Sequence, residues 1–268
     1  MKKINNKPWL KNYRDGVAST IKFDEYSSLV DMFEKTCAQF NSKKAFTNFG
    51  TSLTFNEIYN KSLNLAFFLQ DKFKLVKGDR VAIMMPNLLQ YPICTFGILK
   101  AGLIVENINP LYTERELENQ LCDSNSETII ILENFAHLVE KIKHKTKLKN
   151  IIITSVGELL GMKGILMNFL LRKITKKVPK YNIPNVYKFS EVINNYNKKE
   201  IKNITISLQD VAFLQYTGGT SGTVKAAMLT HKNILSNVLQ VKEWLGSQLK
   251  YGEDIAICAL PLLSLIHI

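Results

Sequence analysis

The chain has 268 residues, 46% of them hydrophobic and 22% charged, and a formal net charge of +12 at pH 7. That is apolar material for one large or two modest globular cores, and too much of it for a disordered or fibrous chain. The four cysteines, Cys37, Cys94, Cys122 and Cys258, stand far apart with no Cys-x-x-Cys pair, which argues against a disulfide framework or a zinc site. Lysines are spread throughout among many Asn and Ile. No arginine-rich, aromatic-interleaved face marks a nucleic-acid surface, so anionic small molecules or lipid headgroups are the expected partners of the charge. The start, Met1-Lys-Lys-Ile-Asn-Asn-Lys-Pro8, has no apolar core of the signal-peptide kind. No apolar run reaches the length that spans a bilayer, and a cytoplasmic protein is expected.

Three boxes pairing a hydroxyl with an acid three residues on organise the first half, each marking a helix start. Ser28-x-x-Asp31 predicts a helix with Leu29, Met32, Phe33, Cys37 and Phe40 at helical spacing, and Ala45–Phe49 then reads as a strand. Thr54-x-x-Glu57 predicts a second helix through Leu65, Phe68 and Leu69. A strand at Arg80–Met84 follows, then a helix ending at Lys100-Ala101 with Gly102 as its cap, and a strand at Leu103–Ile108. In Asn109-Pro-Leu-Tyr-Thr113, Pro110 sets a turn and Thr113, with Glu116, opens a helix through Leu117 and Leu121. Strands are predicted at Thr128–Leu132 and Asn150–Thr154, and His137 and His144 are expected at the surface. Strands alternating with helices imply crossover connections, hence an α/β domain with a largely parallel sheet and helices on its faces.

The segment from Leu159 to Lys180 breaks that rhythm. It combines Leu160, Ile165, Leu166, Phe169, Leu170 and Ile174 with Lys163, Arg172, Lys173, Lys176, Lys177 and Lys180. A helix of this kind can lie on an anionic membrane surface, or pack on the domain with a solvated basic end.

The most informative stretch begins after the strand-like run Val211-Ala-Phe-Leu-Gln-Tyr216. It reads Thr217-Gly218-Gly219-Thr220-Ser221-Gly222-Thr223-Val224-Lys225-Ala226-Ala227. Small residues let backbone N–H groups approach a polyanion, hydroxyls add donors, and Lys225 supplies compensating charge. A Walker A loop would need Gly immediately before the Lys and a helix starting there. Here Thr223 and Val224 intervene, and Ala226-Ala-Met-Leu229 reads as a short strand. Thr230 then caps a helix from His231 with Ile234, Leu235, Val238, Leu239 and Val241 on its apolar face. Strand, loop, strand, helix is not the P-loop NTPase order.

Tyr216 to His231 resembles the signature loop of the AMP-forming adenylate-forming enzymes. Further matches run along nearly the whole chain: Trp9-Leu10, Ser28–Glu34, Lys77–Pro92, Asn109–Thr113, Asn134–His137, Val178–Tyr181 and Phe213–Gly219. Together they are similar to the bacterial long-chain fatty acid–CoA ligases within that family. The resemblance implies the front part of a large layered α/β domain, with sheets sandwiched between helices. It also implies ATP, Mg2+, coenzyme A and a fatty acid as cofactors and substrates. Tyr216 through Ala227 would be the ATP phosphate loop, in which Thr217 to Thr223 embrace the β- and γ-phosphates and Lys225 adds charge; Tyr216 and His231 would bracket it, as core aromatic and helix cap. By the same resemblance, association with the inner face of the cell membrane is expected. Two positions depart from the family pattern: Ser221 stands for Thr and keeps the hydroxyl, and Ala226 stands for Gly, which would strain the loop if its φ were positive.

Residues 1–262 are thus expected to be the N-terminal part of the AMP-binding domain. No catalytic residue and no metal ligand is assigned within them, and the C-terminal domain would lie beyond. Residues 263–268, Leu-Ser-Leu-Ile-His-Ile, leave the resemblance, which continues Tyr-His-Ile-Phe. They are also what CTG-TCT-CTT-ATA-CAC-ATC encodes, the mosaic end of transposon-based sequencing libraries, so they are expected to be a non-native tail rather than a divergent terminus. The alternatives to a long-chain ligase are another acid–AMP ligase, for a medium-chain or aryl acid, or a catalytically dead nucleotide- or membrane-binding remnant.

Overall fold

In the computed structural model, which describes residues 7–195, 202–217 and 225–262, helices begin where hydroxyls are placed to cap them. Helix α1 (Leu29–Gln39) starts with Ser28 Oγ accepting the Asp31 N–H at 3.0 Å. The return half of that box is not made, because Asp31 Oδ2 accepts instead from the backbone and hydroxyl of Ser27. Strands β1 (Lys44–Asn48) and β2 (Thr51–Thr54) form a two-stranded antiparallel ribbon. Helix α2 (Phe55–Asp71) has its complete Thr54–Glu57 capping box. Strand β3 (Arg80–Met84) leads to helix α3 (Gln90–Lys100) and strand β4 (Ile104–Asn107). Gly102 closes α3 at φ +76°, its N–H reaching Leu99 O at 3.0 Å, and an added Cβ there would lie 2.8 Å from Ile204 Cγ2. Helix α4 (Glu114–Ser124) carries the complete Thr113–Glu116 box.

The remaining elements are β5 (Thr128–Leu132), α5 (Ala136–Ile142), β6 (Asn150–Thr154), α6 (Gly161–Phe169), β7 (Val186–Lys188), α7 (Phe189–Asn195), β8 (Val211–Thr217), β9 (Lys225–Thr230) and α8 (His231–Leu245). Seven strands form one sheet in the order β7-β6-β5-β3-β4-β8-β9; every neighbouring pair is parallel except β8–β9, which is antiparallel. Successive residues of β3 serve opposite faces. Val81 and Ile83 pack with Leu65 and Leu69 of α2 and Ile98 of α3, while Ala82 and Met84 pack with Leu117 of α4 and Val139 of α5. A sheet covered on both faces favours apolar side chains on both, which is why β5 runs Ile129-Ile-Ile-Leu132 without alternation. The described residues thus contain this helix-flanked sheet and the small β1–β2 ribbon.

The basic segment is not one helix from Leu159 to Lys180. α6 ends at Phe169, a π-helical turn covers Leu170–Ile174, and Lys176 takes φ +51°, so Lys176, Lys177 and Lys180 lie beyond the helical part. α6 is also inverted relative to an ordinary packed helix. Gly164, Asn168 and Arg172, at fourfold spacing, face the protein. Gly164 backs onto the Gly157 backbone, where an added Cβ would lie 1.7 Å from Gly157 O. Asn168 Oδ1 accepts the Gly157 N–H at 2.8 Å, and its amide donates to Ser155 Oγ at 2.9 Å. Arg172 makes a two-pronged pair with the buried carboxylate of Glu133, at 2.8 to 3.1 Å. The large residues Met162, Ile165, Leu166 and Phe169 point to solvent, Met162 87% and Ile165 72% exposed.

Candidate functional site

The Gly- and Thr-rich stretch joins the C-terminal end of β8 to the start of β9. Residues 218–224, hence the expected ligands Gly218, Gly219, Thr220, Ser221, Gly222, Thr223 and Val224, lie outside the described residues, as does the tail 263–268. The base of the hairpin is described. Thr217 pairs with Lys225, Tyr216 with Ala226 and Gln215 with Ala227, so the last three of the expected loop residues belong to the β9 ladder. Thr217 and Lys225 are both exposed at its open end. Ala226 is an extended strand residue outside the positive-φ set, so the departure from Gly at that position introduces no strain. Strand, loop, strand, helix is the order observed, with α8 opened by a full box between Thr230 and Asn233. Thr230 is the expected cap, and Asn233 completes the box at the third helical residue with an amide where the other boxes carry an acid.

Because β8 is parallel to β4, and β4 to β3, the loop leaves the sheet at the same edge as the C-terminal ends of these strands. Ligands of open α/β sheets bind in that crevice. Polar side chains close the strands there. Asn107, at the end of β4, donates to Gln215 Oε1 at 3.1 Å and accepts the Tyr91 hydroxyl at 2.7 Å; all three are buried. Asn87, between β3 and α3, donates to the carbonyls of Cys258 and Leu260 at 3.1 and 2.8 Å and accepts the Leu262 N–H at 2.9 Å. That side chain lays residues 258–262 along the same edge. In the sequence these positions show only as polar residues among apolar neighbours, Asn107 at the end of β4 and Gln215 inside β8.

Tyr216 is the core aromatic at the edge of the loop, as expected of its side chain. Its ring is buried on the α4 side of the sheet and its hydroxyl donates to Asp123 Oδ2 at 2.6 Å, so the side chain supports the strand instead of facing the loop. Burial, reinforced by this acceptor, raises the phenol well above its ordinary range. Glu106, on the same face, is fully buried and its carboxyl is raised by burial, against hydrogen bonds from Ser126 and Gln120. His231 is the first residue of α8, buried, with Nδ1 accepting the Leu29 N–H at 3.3 Å; it fills an open donor at the start of α1. Burial pushes its imidazole down to about 4, the nearby Asp210 carboxylate opposing. His144 is exposed as expected, but His137 is only partly exposed, with Nδ1 buried and unpartnered among the described residues.

A sequence model of the AMP-binding enzyme family matches residues 33–266. The long-chain-fatty-acid–CoA ligase of Escherichia coli O157:H7 is 46% identical over 263 residues, 98% of this chain and 46% of that protein. The long-chain-fatty-acid–CoA ligase of Bacillus subtilis (strain 168) is 36% identical, over 96% of this chain and 46% of its own length. The chain therefore spans about half the length of the curated relatives it matches. Among solved structures, a long-chain-fatty-acid-CoA ligase from Archaeoglobus fulgidus superposes with a TM-score of 0.67 at 24% identity, covering 89% of this chain and 43% of that one. An anthranilate CoA ligase in complex with anthranoyl-AMP superposes with a TM-score of 0.63 at 21% identity, covering 77% and 35%. At these identities the structures speak for the fold alone.

Proposed function

This chain belongs to the AMP-binding enzyme family, and on that premise we propose that it is the N-terminal part of a long-chain fatty acid–CoA ligase. The fatty acid carboxylate attacks the α-phosphate of ATP and pyrophosphate leaves; the coenzyme A thiol then displaces AMP from the acyl-adenylate. A carboxylate is a poor acyl donor, and adenylation gives it a leaving group. The protein's part is to hold the triphosphate in line and to neutralise the charge that develops on pyrophosphate. The observation that carries the reading is the β8–β9 hairpin, with exposed Thr217 and Lys225 paired across its open end beside the C-terminal strand ends. Residues 217–223 would surround the β- and γ-phosphates, with Lys225 adding charge. Magnesium would neutralise part of the triphosphate charge; no residue of this chain is assigned to it or to coenzyme A. The test is acid-dependent release of pyrophosphate and formation of acyl-CoA by the full-length ligase with oleate, decanoate or benzoate. Preference for oleate is expected. Preference for decanoate or benzoate makes it another acid–AMP ligase, and no acid-dependent release makes it a remnant.

We also infer that the ligase is peripheral to an anionic membrane, held through α6 and the turn after it. In support, α6 turns Gly164 and the Asn168 amide inward and Met162, Ile165, Leu166 and Phe169 outward, while Arg172 in the turn after it pairs with Glu133. Lys163 on the helix and Lys173, Lys176, Lys177 and Lys180 in the turn and the segment after it are all exposed, which matches an anionic headgroup layer better than a protein surface of mixed charge. Among the described residues no helix is long and apolar enough to cross a membrane.

A further inference from the structure

Tyr216 is the last buried residue before the hairpin opens, and its neighbour Thr217 is the register partner of Lys225. Its hydroxyl donates to Asp123 at 2.6 Å, a short bond of the kind a carboxylate acceptor makes. Asp123 occupies the last turn of α4, where a negative charge faces the negative end of the helix and is unfavourable. Among the described residues no Lys or Arg forms an ion pair with it, so helix stability does not account for an acid there. One turn earlier, Gln120 donates to Glu106 Oε1 at 2.9 Å and to Asn107 O at 3.0 Å, binding the same helix to the end of β4. The C-terminal half of α4 thus grips the ends of both strands that meet at the crevice.

We propose that Asp123 is a positioning residue for ATP binding: by accepting the Tyr216 hydroxyl it sets the rotation of the β8 end, and with it the places of Thr217 and Lys225. This rests on the reading of the hairpin as the ATP phosphate site. A carboxylate is suited to the task because it cannot donate, so the phenol has a single bonding arrangement and the strand a single twist.

The experiment compares wild-type full-length ligase with Asp123→Ala, Asp123→Asn, Tyr216→Phe and the double variant Asp123→Ala/Tyr216→Phe. Equilibrium binding of ATP, KM and kcat for adenylation, and thermal midpoint are measured for each. Asp123→Ala and Tyr216→Phe should each weaken ATP binding and raise KM for ATP about tenfold, the factor expected for one hydrogen bond to a charged group. KM for the fatty acid should stay within twofold. The double variant should be no worse than either single one, since both remove the same bond. Asp123→Asn, which keeps an acceptor oxygen, should recover most of the affinity. Glu118→Ala, which breaks the Glu118–Lys145 pair on the same helix, should leave ATP affinity unchanged. Wild-type ATP affinity in Asp123→Ala and Tyr216→Phe overturns the proposal, as does a loss in Glu118→Ala equal to that in Asp123→Ala. A wild-type protein that neither binds ATP nor releases pyrophosphate overturns the ATP-site reading itself, and the proposal with it.

Discussion

Lys225 and Tyr216 are close in sequence and opposite in circumstance. Lys225 ends a hairpin arm with its side chain in solvent, so removing it leaves no cavity and no buried group without a partner. Lys225→Ala should therefore leave the thermal midpoint of the full-length ligase within a degree or two. It should slow adenylation by about a hundredfold, roughly 3 kcal/mol of barrier, the usual effect of removing one positioned electrostatic contact. Pyrophosphate release at the wild-type rate would make it a solvated surface lysine. Tyr216 is instead held on both sides by core and hydrogen bond, and its contribution to the loop comes through the backbone it anchors.

At the level of the element, α6 is held by contacts that tolerate almost no change. A Cβ at Gly164 would lie 1.7 Å from Gly157 O, a backbone atom that cannot swing aside. Gly164→Ala should cost about 3 kcal/mol locally and loosen α6. Limited proteolysis should then cut between Gly161 and Ile174 much faster than in wild type, with the core elements still protected. Equal cleavage rates would mean that the helix can repack. The outer face gives a separate prediction. Changing Lys173, Lys176 and Lys177 to Gln should weaken sedimentation with anionic vesicles, each lysine contributing about 1 kcal/mol near the headgroups. Raising salt should weaken wild-type binding in the same way. Arg172 is left out of that set because its guanidinium is committed to Glu133. If the triple variant sediments like wild type at low salt, the apolar face is covered by protein and not by lipid.

On the scale of the whole molecule, His231 ties the start of α8 to the start of α1, on the face where α1, α2, α3 and α8 share one core. Its neutral ring accepts the Leu29 N–H, and a protonated ring could not. With the folded value at about 4 and the ordinary value at 6.5, the unfolded chain takes up the proton first as pH falls. The contribution is intact above about pH 6.5 and is lost progressively toward pH 4, about 2 kcal/mol by pH 5. Urea unfolding at pH 7 and pH 5 should show that loss in wild type and a smaller one in His231→Gln. Identical losses would show that the ring does not control acid stability.

Much of this arrangement was legible in the residues. Capping boxes located α2 and α4, Ile- and Val-rich runs located β3 to β6, and the Gly/Thr stretch located the hairpin before α8. These signals are local: a cap or an apolar run acts through hydrogen bonds and burial within a few residues of itself. The elements β2, β7, α5 and α7 had no such mark: β2 and β7 carry no Ile- or Val-rich run, and no hydroxyl–acid box opens α5 or α7, so tertiary packing supplies what their own residues do not signal. The same holds for the site. The sequence by itself determined which residues could hold phosphate, since small size, hydroxyls and a lysine are properties of the residues. Only the tertiary structure decided that Tyr216 turns inward to Asp123, 93 positions away, that Asn107 and Gln215 join across two strands, and that Arg172 pairs with Glu133. Each is a pairing between distant segments, set by how the sheet twists and which helix covers it, and no pattern within either segment carries it.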